Sequence, residues 1–309
     1  GASSLQESEQ MARQALEMAL GRGGDQVAIK SGSSFAFYGG TSKGVEKRTK
    51  VKTRIMASAL SELIGTAENV LIMGHQFADL DCLGSAVGMY KAVRQMGKPA
   101  AVVLNRQRNL AFPLYNRLAQ NGYADAFVEP DLAIDLIGKK TLLVVVDTHL
   151  PHILESREVY SACKTVAVID HHRKMVGHID NAVIFYHEPY ASSASEMVTE
   201  LVQYFGDHVK IGKMEAEALL SGIMLDTKNF VMKTGVRTFE AAAYLRKQGA
   251  DTVEVRKLFS NSMDDYQKKT RLVASAEIYR GCAIASGEYS EDIKLIAPQA
   301  ADELLGIND

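Results

Sequence analysis

The sequence predicts an α/β protein: a Rossmann-like, mostly parallel sheet flanked by helices, with the start of a smaller C-terminal α/β domain and an N-terminal α+β remnant. Three observations predict it. Short apolar runs recur at NVLIM (69–73), AAVVLN (100–105), LLVVV (142–146) and TVAVI (165–169), with helical spacing between them, which is the rhythm of βαβ units. The runs are continuous rather than alternating, as strands covered by helices on both faces must be. After residue 190 the pattern turns mainly helical, and a new β segment starts near residue 282.

Taken in order, LQESEQMARQALEMAL (5–20) has apolar residues at helical spacing. GRGGDQ is a Gly-rich turn, and VAIK and FAFY after it read as a hairpin. Residues 43–64 are basic first and then apolar-periodic. Lys43, Lys47, Arg48, Lys50, Lys52 and Arg54 read as a solvated face. The helix DCLGSAVGMYKAVRQMG stops at Gly97. Further helices are expected near 193–206, 213–225, 237–248, 252–260 and 263–278, then a strand in CAIASGEY (282–289) and a last helix in QAADELLGI.

The totals exclude some functions. A net charge of −2 offers no basic field to hold a long nucleic acid by counterion release. Cys82, Cys163 and Cys282 are far apart and form no CxxC pair, which fits a reducing compartment. No apolar run reaches the roughly 20 residues that span a bilayer. The chain does not begin with Met, so this says little of a longer native protein.

In an open α/β sheet, ligands gather beyond the carboxyl ends of the strands. After VLIM come His75, Asp79 and Asp81. After LLVVV comes Asp147, with Thr148 and His149. After TVAVI come Asp170, His171 and His172. Asp226 ends the apolar helical stretch ALLSGIMLD. If these tips converge, their carboxylates cannot all stay ionised without a compensating cation. Oxygen and imidazole donors with no thiolate favour Mn²⁺, Mg²⁺ or Fe²⁺ over structural Zn²⁺. There are more carboxylates than one ion needs. Two ions about 3.5–4 Å apart, sharing one carboxylate, suit phosphoester hydrolysis. His149 and His152, near Pro151, read as ordinary loop residues, and Cys82 as a buried thiol. Gly84 reads as a position where the loop backbone comes close to the ions.

HQFADLD (75–81), VVVDT (144–148), VIDHHR (168–173) and LLSGIMLDT (219–227) together resemble the motifs of the DHH phosphoesterase superfamily. The resemblance implies that His75, Asp79 and Asp147 hold one Mn²⁺. It implies that Asp81, Asp147, His171 and Asp226 hold the other, with Asp147 bridging and Mg²⁺, Fe²⁺ or Co²⁺ as substitutes. Asp170 would steady His171 from behind, and His172 would meet the substrate phosphate together with Arg173. Catalysis would rest on Asp147, His172 and Asp170. Ser192 and Ser193 precede a helix, with Ser193 and Glu196 at capping-box spacing. They read equally as a cap or as a helix N-terminus aimed at phosphate.

A narrower resemblance runs through GGDQVAIK (23–30), HQFADLDCLGSAVG (75–88), EPYASSASEMVTEL (188–201), GIMLDTKNF (222–230) and EIYRGCAIA (277–285). These look like the GdpP-type (YybT-type) cyclic-di-AMP phosphodiesterases. The implied order is the tail of a degenerate GGDEF domain with its linker (1–57), a DHH domain (58–250), linker helices (251–280) and part of a DHH-associated substrate-binding domain (281–309). The implied reaction opens cyclic-di-AMP to pApA with water activated by two ions. The alternatives are hydrolysis of short oligonucleotides, or cyclic-dinucleotide sensing without catalysis. The resemblance also implies a homodimer, and a cytoplasmic-facing position in a bacterial protein whose membrane anchor lies outside this chain. The family's Gly-rich GGGH-like nucleotide-binding motif would follow the last residue.

Overall fold

The four apolar runs read from the sequence become neighbouring strands of one sheet. The computed structural model describes residues 4–22, 26–32, 34–40, 50–260, 263–287 and 293–307. The turn residues Gly23, Gly24 and Asp25 and the basic residues Lys43, Lys47 and Arg48 lie outside the described residues. The chain divides into two compact units, residues 1–255 and 256–309.

The first unit opens with α1 (Leu5–Gly21), capped by Ser4, whose hydroxyl accepts from the Glu7 amide. The antiparallel pair β1 (Gln26–Ser31) and β2 (Ser34–Gly39) follows, then α2 (Lys50–Thr66). The βαβ body comprises β3 (Asn69–Met73), α3 (Leu80–Gln95), β4 (Ala100–Val103), α4 (Phe112–Leu118), β5 (Phe127–Val128), α5 (Pro130–Ala133), β6 (Thr141–Val146), α6 (Arg157–Ala162), β7 (Thr165–Asp170) and β8 (Ile184–His187). Helices α7 (Ala194–Val202), α8 (Lys213–Asp226), α9 (Val236–Lys247) and α10 (Thr252–Lys257) come after the sheet.

The six strands stand in the order β5-β4-β3-β6-β7-β8, and every pairing is parallel. Every residue of β6, and every residue of β3 and β7 but the first, is buried. Full burial of each Val, Leu or Ile contributes about 1.5–3 kcal/mol, so these strands anchor the fold. Leu71, Met73, Leu143, Val145, Val166 and Val168 form one core layer with Ala133, Val159 and Cys163. Helices α3 and α7 cover the other face, and α8 packs against both of them. The chain runs outward from β3 to β5, then returns to the far side of β3 with β6. The switch point therefore falls between β3 and β6, where a crevice opens beyond the carboxyl ends of the strands.

Helices α3 and α8 come unusually close, and glycines allow it. A β-carbon at Gly84 would lie 2.4 Å from the Ala218 carbonyl oxygen, and one at Gly88 2.9 Å from Leu219. Gly84 therefore serves helix packing, not the approach of a loop to ions as its sequence position suggested.

The second unit contains α11 (Met263–Ala274), an antiparallel hairpin of β9 (Glu277–Tyr279) and β10 (Cys282–Ile284), and α12 (Ile293–Leu304), which packs on α11. The helix expected over 263–278 ends four residues early. Arg280 and Gly281 both take positive φ, 50° and 76°, the geometry of a two-residue hairpin turn, so Tyr279 pairs with Cys282. Of the strand expected over 282–289, Cys282–Ile284 forms β10, residues 285–287 are irregular, and 288–289 lie outside the described residues. Helix α12 starts at Ile293 and carries Pro298 inside it, six residues before the QAADELLGI stretch.

Candidate metal centre

His75 and Asp79 lie on the short connection from β3 to α3, and Asp81 on the first turn of α3. The His75 Nδ1 donates to the Gln76 carbonyl, 2.9 Å away, so its Nε2 is the nitrogen left to face the cluster. That Nε2 faces Asp147 Oδ2 at 3.3 Å and Asp79 Oδ1 at 4.0 Å. Asp79 is also the N-cap of α3, its Oδ1 accepting from the amides of Asp81 and Cys82 at 2.9 and 3.0 Å. Asp81 is fully buried. Its two oxygens accept from the amides of Ala194 and Ser195 at 2.7 and 2.8 Å, so the positive end of α7 holds this carboxylate.

Asp147 follows β6 with φ 60°, a left-handed conformation that Asp tolerates better than most residues. Its amide donates to the Ile169 carbonyl of the neighbouring strand. This turn places the carboxylate between two histidines. Oδ1 lies 3.4 Å from His171 Nε2, and Oδ2 faces His75. His171 Nε2 is also 3.1 Å from Asp226 Oδ2 and 3.8 Å from Asp81 Oδ2. Asp226 reaches the cluster because α8 ends there, and α8 can lie so near because Gly222 has no side chain to meet Asp81.

The structure brings His75, Asp79, Asp81, Asp147, His171 and Asp226 together at the switch point. Among the described residues, four buried side-chain polar atoms lack a hydrogen bond, and two of them are Asp147 Oδ1 and His171 Nε2. Buried orphans facing one another at ligand spacing fit a cation better than a core. The charges agree. Burial and the Asp147 carboxylate raise Asp79 to about 6, and the same two causes raise Asp81 well above the usual carboxylate range. Burial works against the charge of Asp147 too, but His171 and His75 outweigh it and hold that carboxyl low. Cys82 lies within ligand reach of His75 and Asp147, yet burial pushes its thiol up to about 11, so it offers no thiolate.

One prediction follows from Asp79. As pH falls through about 6, its carboxylate takes a proton that a bound cation must displace. Affinity for Mn²⁺ should then weaken by about tenfold per pH unit below that point. Titration calorimetry at pH 5 and pH 7.5 checks this, and equal affinities would refute it.

The substrate residues fare differently. His172 has a half-exposed side chain beside the cluster, its Nδ1 2.8 Å from Asp170 Oδ1 and 3.7 Å from Asp147 Oδ1. Arg173 is exposed, and its Nη1 reaches towards Gly40 at the end of β2. Ser192 and Ser193 are fully buried. The Ser192 hydroxyl donates to Glu196 Oε2 at 2.6 Å, and the Ser193 hydroxyl accepts from the Glu196 amide at 3.0 Å. Both hydroxyls are spent on the start of α7, and its amides at 194 and 195 are spent on Asp81. The structure thus uses both serines at the cap of α7.

Two further corrections concern histidines. Asp170 does not steady His171; it holds His172 through Oδ1 and His149 through Oδ2. His149, read from the sequence as a loop residue, is buried against Asp170. Its place right after Asp147-Thr148 was the one available signal.

The geometry matches what sequence comparison finds. The model of the DHH family, N-terminal domain, matches residues 69–223, half of the chain. A second, for the GGDEF domain of GdpP-like cyclic-di-AMP phosphodiesterases, matches residues 1–37. The cyclic-di-AMP phosphodiesterase GdpP of Geobacillus thermodenitrificans is 46% identical over 100% of this chain and 48% of its own length. The cyclic-di-AMP phosphodiesterase PdeA of Listeria monocytogenes is 42% identical over 96% of this chain and 46% of its own length. The chain thus spans about half the length of these curated relatives. The crystal structure of an exopolyphosphatase-related protein from Bacteroides fragilis shares the fold, with a TM-score of 0.70 at 19% identity over 82% of this chain and 77% of that one. The matched segment carries every strand-end candidate ligand from His75 to His171, and on this evidence the chain belongs to the DHH family.

Proposed function

We propose that this chain carries the catalytic site of a Mn²⁺-dependent phosphodiesterase that hydrolyses cyclic-di-AMP to the linear dinucleotide pApA. The observation that carries the reading is the buried ring of carboxylates and imidazoles around Asp147, with its orphaned oxygen and nitrogen. The names of the relatives supply the substrate class.

His75, Asp79 and Asp147 would hold one ion, and Asp81, Asp147, His171 and Asp226 the other. Such ions supply positive charge to phosphoryl oxygens and make water a stronger nucleophile near neutral pH. The chain's own residues do the rest. Asp147 is buried between the two histidines and joins both halves of the cluster. The amides at the N-terminus of α7 hold the Asp81 carboxyl aimed at the cluster. His172 stands at the mouth, its Nδ1–H held by Asp170. Burial opposes its charge, but the nearby carboxylates favour the doubly protonated ring, which can donate from Nε2 to a phosphate oxygen. Attack of water on one phosphorus breaks one P–O3′ bond. The 3′ oxygen takes up a proton, and the product keeps a 5′-phosphate. In this reading the active protein is a homodimer, held to a membrane by segments outside this chain. Among the described residues no helix is long and apolar enough to cross one.

Incubation with cyclic-di-AMP and Mn²⁺, followed by chromatography, tests the proposal. The expected result is pApA that forms only with metal. Bound ions without turnover of cyclic-di-AMP would overturn the substrate assignment, and cleavage of short oligonucleotides instead would replace it.

A further inference from the structure

Behind His172 lies a buried polar chain that the metal centre does not account for. His149 has almost no exposed surface. The amide of Met175 donates to its Nε2 at 3.0 Å. A backbone amide can only donate, so Nε2 is unprotonated and the ring proton sits on Nδ1. That Nδ1–H donates to Asp170 Oδ2. The other oxygen of Asp170 accepts from His172 Nδ1 at 2.8 Å and from the His172 amide at 3.3 Å. Asp170 is fully buried, and its carboxylate is engaged on both oxygens by these two histidines. His172 is thereby protonated at Nδ1, and its Nε2 is the nitrogen left for a ligand.

The surroundings leave His149 little freedom. Its carbonyl accepts from the Ile179 amide at 2.8 Å, and its ring meets Phe185 and His187 edge-on, with centroids 6.2 and 5.6 Å away. The His187 Nε2 in turn donates to the His172 carbonyl. Side chain and backbone of His172 are thus both held from the same side.

We propose that His149 is a positioning residue, which acts through Asp170 to hold His172 by its Nδ1–H and fix its ring direction, so that Nε2 faces the substrate phosphate, to which the doubly protonated ring can donate. This rests on the reading of His172 as a substrate-facing group. Without His149, one oxygen of Asp170 is left buried without its donor, and the carboxylate can turn. His172 then loses its single orientation. Residues that orient a reacting group from behind are typically worth about 10–100-fold in activity.

The test uses two conservative variants that separate the two contacts of the ring. In His149→Asn the amide nitrogen overlays Nδ1 and restores the donor to Asp170. In His149→Gln the amide overlays Nε2 and restores only the partner of the Met175 amide. Long-range ¹H–¹⁵N correlation spectra of the metal-free protein report which nitrogens of each ring carry a proton, beside a thermal melt that checks folding. His172 should be protonated at Nδ1 in the wild type and in His149→Asn, and should lose its preference for that proton in His149→Ala and His149→Gln. With Mn²⁺ and cyclic-di-AMP, kcat should fall about 10–100-fold in His149→Ala while KM changes less than about threefold, and His149→Asn should recover most of it. In a His172→Ala background, removing His149 should cost less than about twofold more. Unchanged protonation of His172 Nδ1 in His149→Ala, rescue by Gln rather than Asn, or full additivity with His172→Ala would each overturn the proposal. If the wild type turns over no cyclic dinucleotide but the ring signals respond as stated, the substrate reading fails and the positioning role stands.

Discussion

Replacing Asp147 with Asn is expected to lower turnover by more than about 100-fold, beyond the 10–100-fold typical of residues that only support a ligand. Metal binding should fall at both sites. The variant isolates charge from shape, because Asn also tolerates the positive φ that Asp147 adopts at the end of β6. The oxygen atoms explain the size of the effect. Oδ2 faces His75 and Oδ1 faces His171, so a single carboxylate serves both halves of the cluster. Asp226 contacts only the His171 half, at 3.1 Å. Asp226→Asn should therefore weaken mainly one ion. Metal stoichiometry by mass spectrometry on desalted protein, alongside turnover, measures both. Two ions bound to Asp147→Asn with near wild-type activity would remove the bridging role.

Gly222→Ala should damage the site from outside it. A β-carbon at Gly222 would lie 2.2 Å from the Ser195 hydroxyl oxygen, 2.6 Å from Asp81 Oδ1 and 2.8 Å from Asp81 Cα. Ser195 could rotate away, but the Asp81 backbone cannot. It is fixed in α3, and the Asp81 carboxylate is pinned by the amides of Ala194 and Ser195. Helix α8 must therefore move outward and take Asp226 with it. Overpacking of this kind costs about 1–3 kcal/mol. The expected outcome is a lower melting temperature together with weaker binding of the ion held by Asp81, His171 and Asp226. Wild-type values for both would show that α8 can shift without moving the ligands.

The candidate ligands were legible because chemistry and topology coincide at strand ends. An apolar strand has no use for an acid at its tip, so three such tips bearing His75, Asp79, Asp81, Asp147 and His171 stood out, and Asp226 joined them at the end of an apolar helical stretch. His149 did not stand out. It sits in a loop beside Pro151, and nothing local says that Met175, in a segment after a different strand, will close over it. Ser192 and Ser193 were ambiguous for a related reason. Capping a helix and binding a phosphate call for the same residue types, and only the packing of Asp81 against the first turn of α7 separates them. The hairpin at 277–284 was missed because EIY and CAI are too short for periodicity to register, while Arg280-Gly281 is a turn signal only once its positive φ values are known.

The sequence by itself determined the fold class, the positions of the four central strands along the chain and the identities of the candidate ligands. These follow from local pattern: continuous apolar runs, helical spacing and the residues that end each run. The tertiary structure alone decided which of those residues meet, which serine contacts are spent inside the fold, and which histidine stands behind Asp170. Those outcomes depend on how closely α3, α7 and α8 approach one another and the sheet. That distance is set by packing between segments more than a hundred residues apart, as the contacts of Asp81 with α7 and of Gly84 with α8 show.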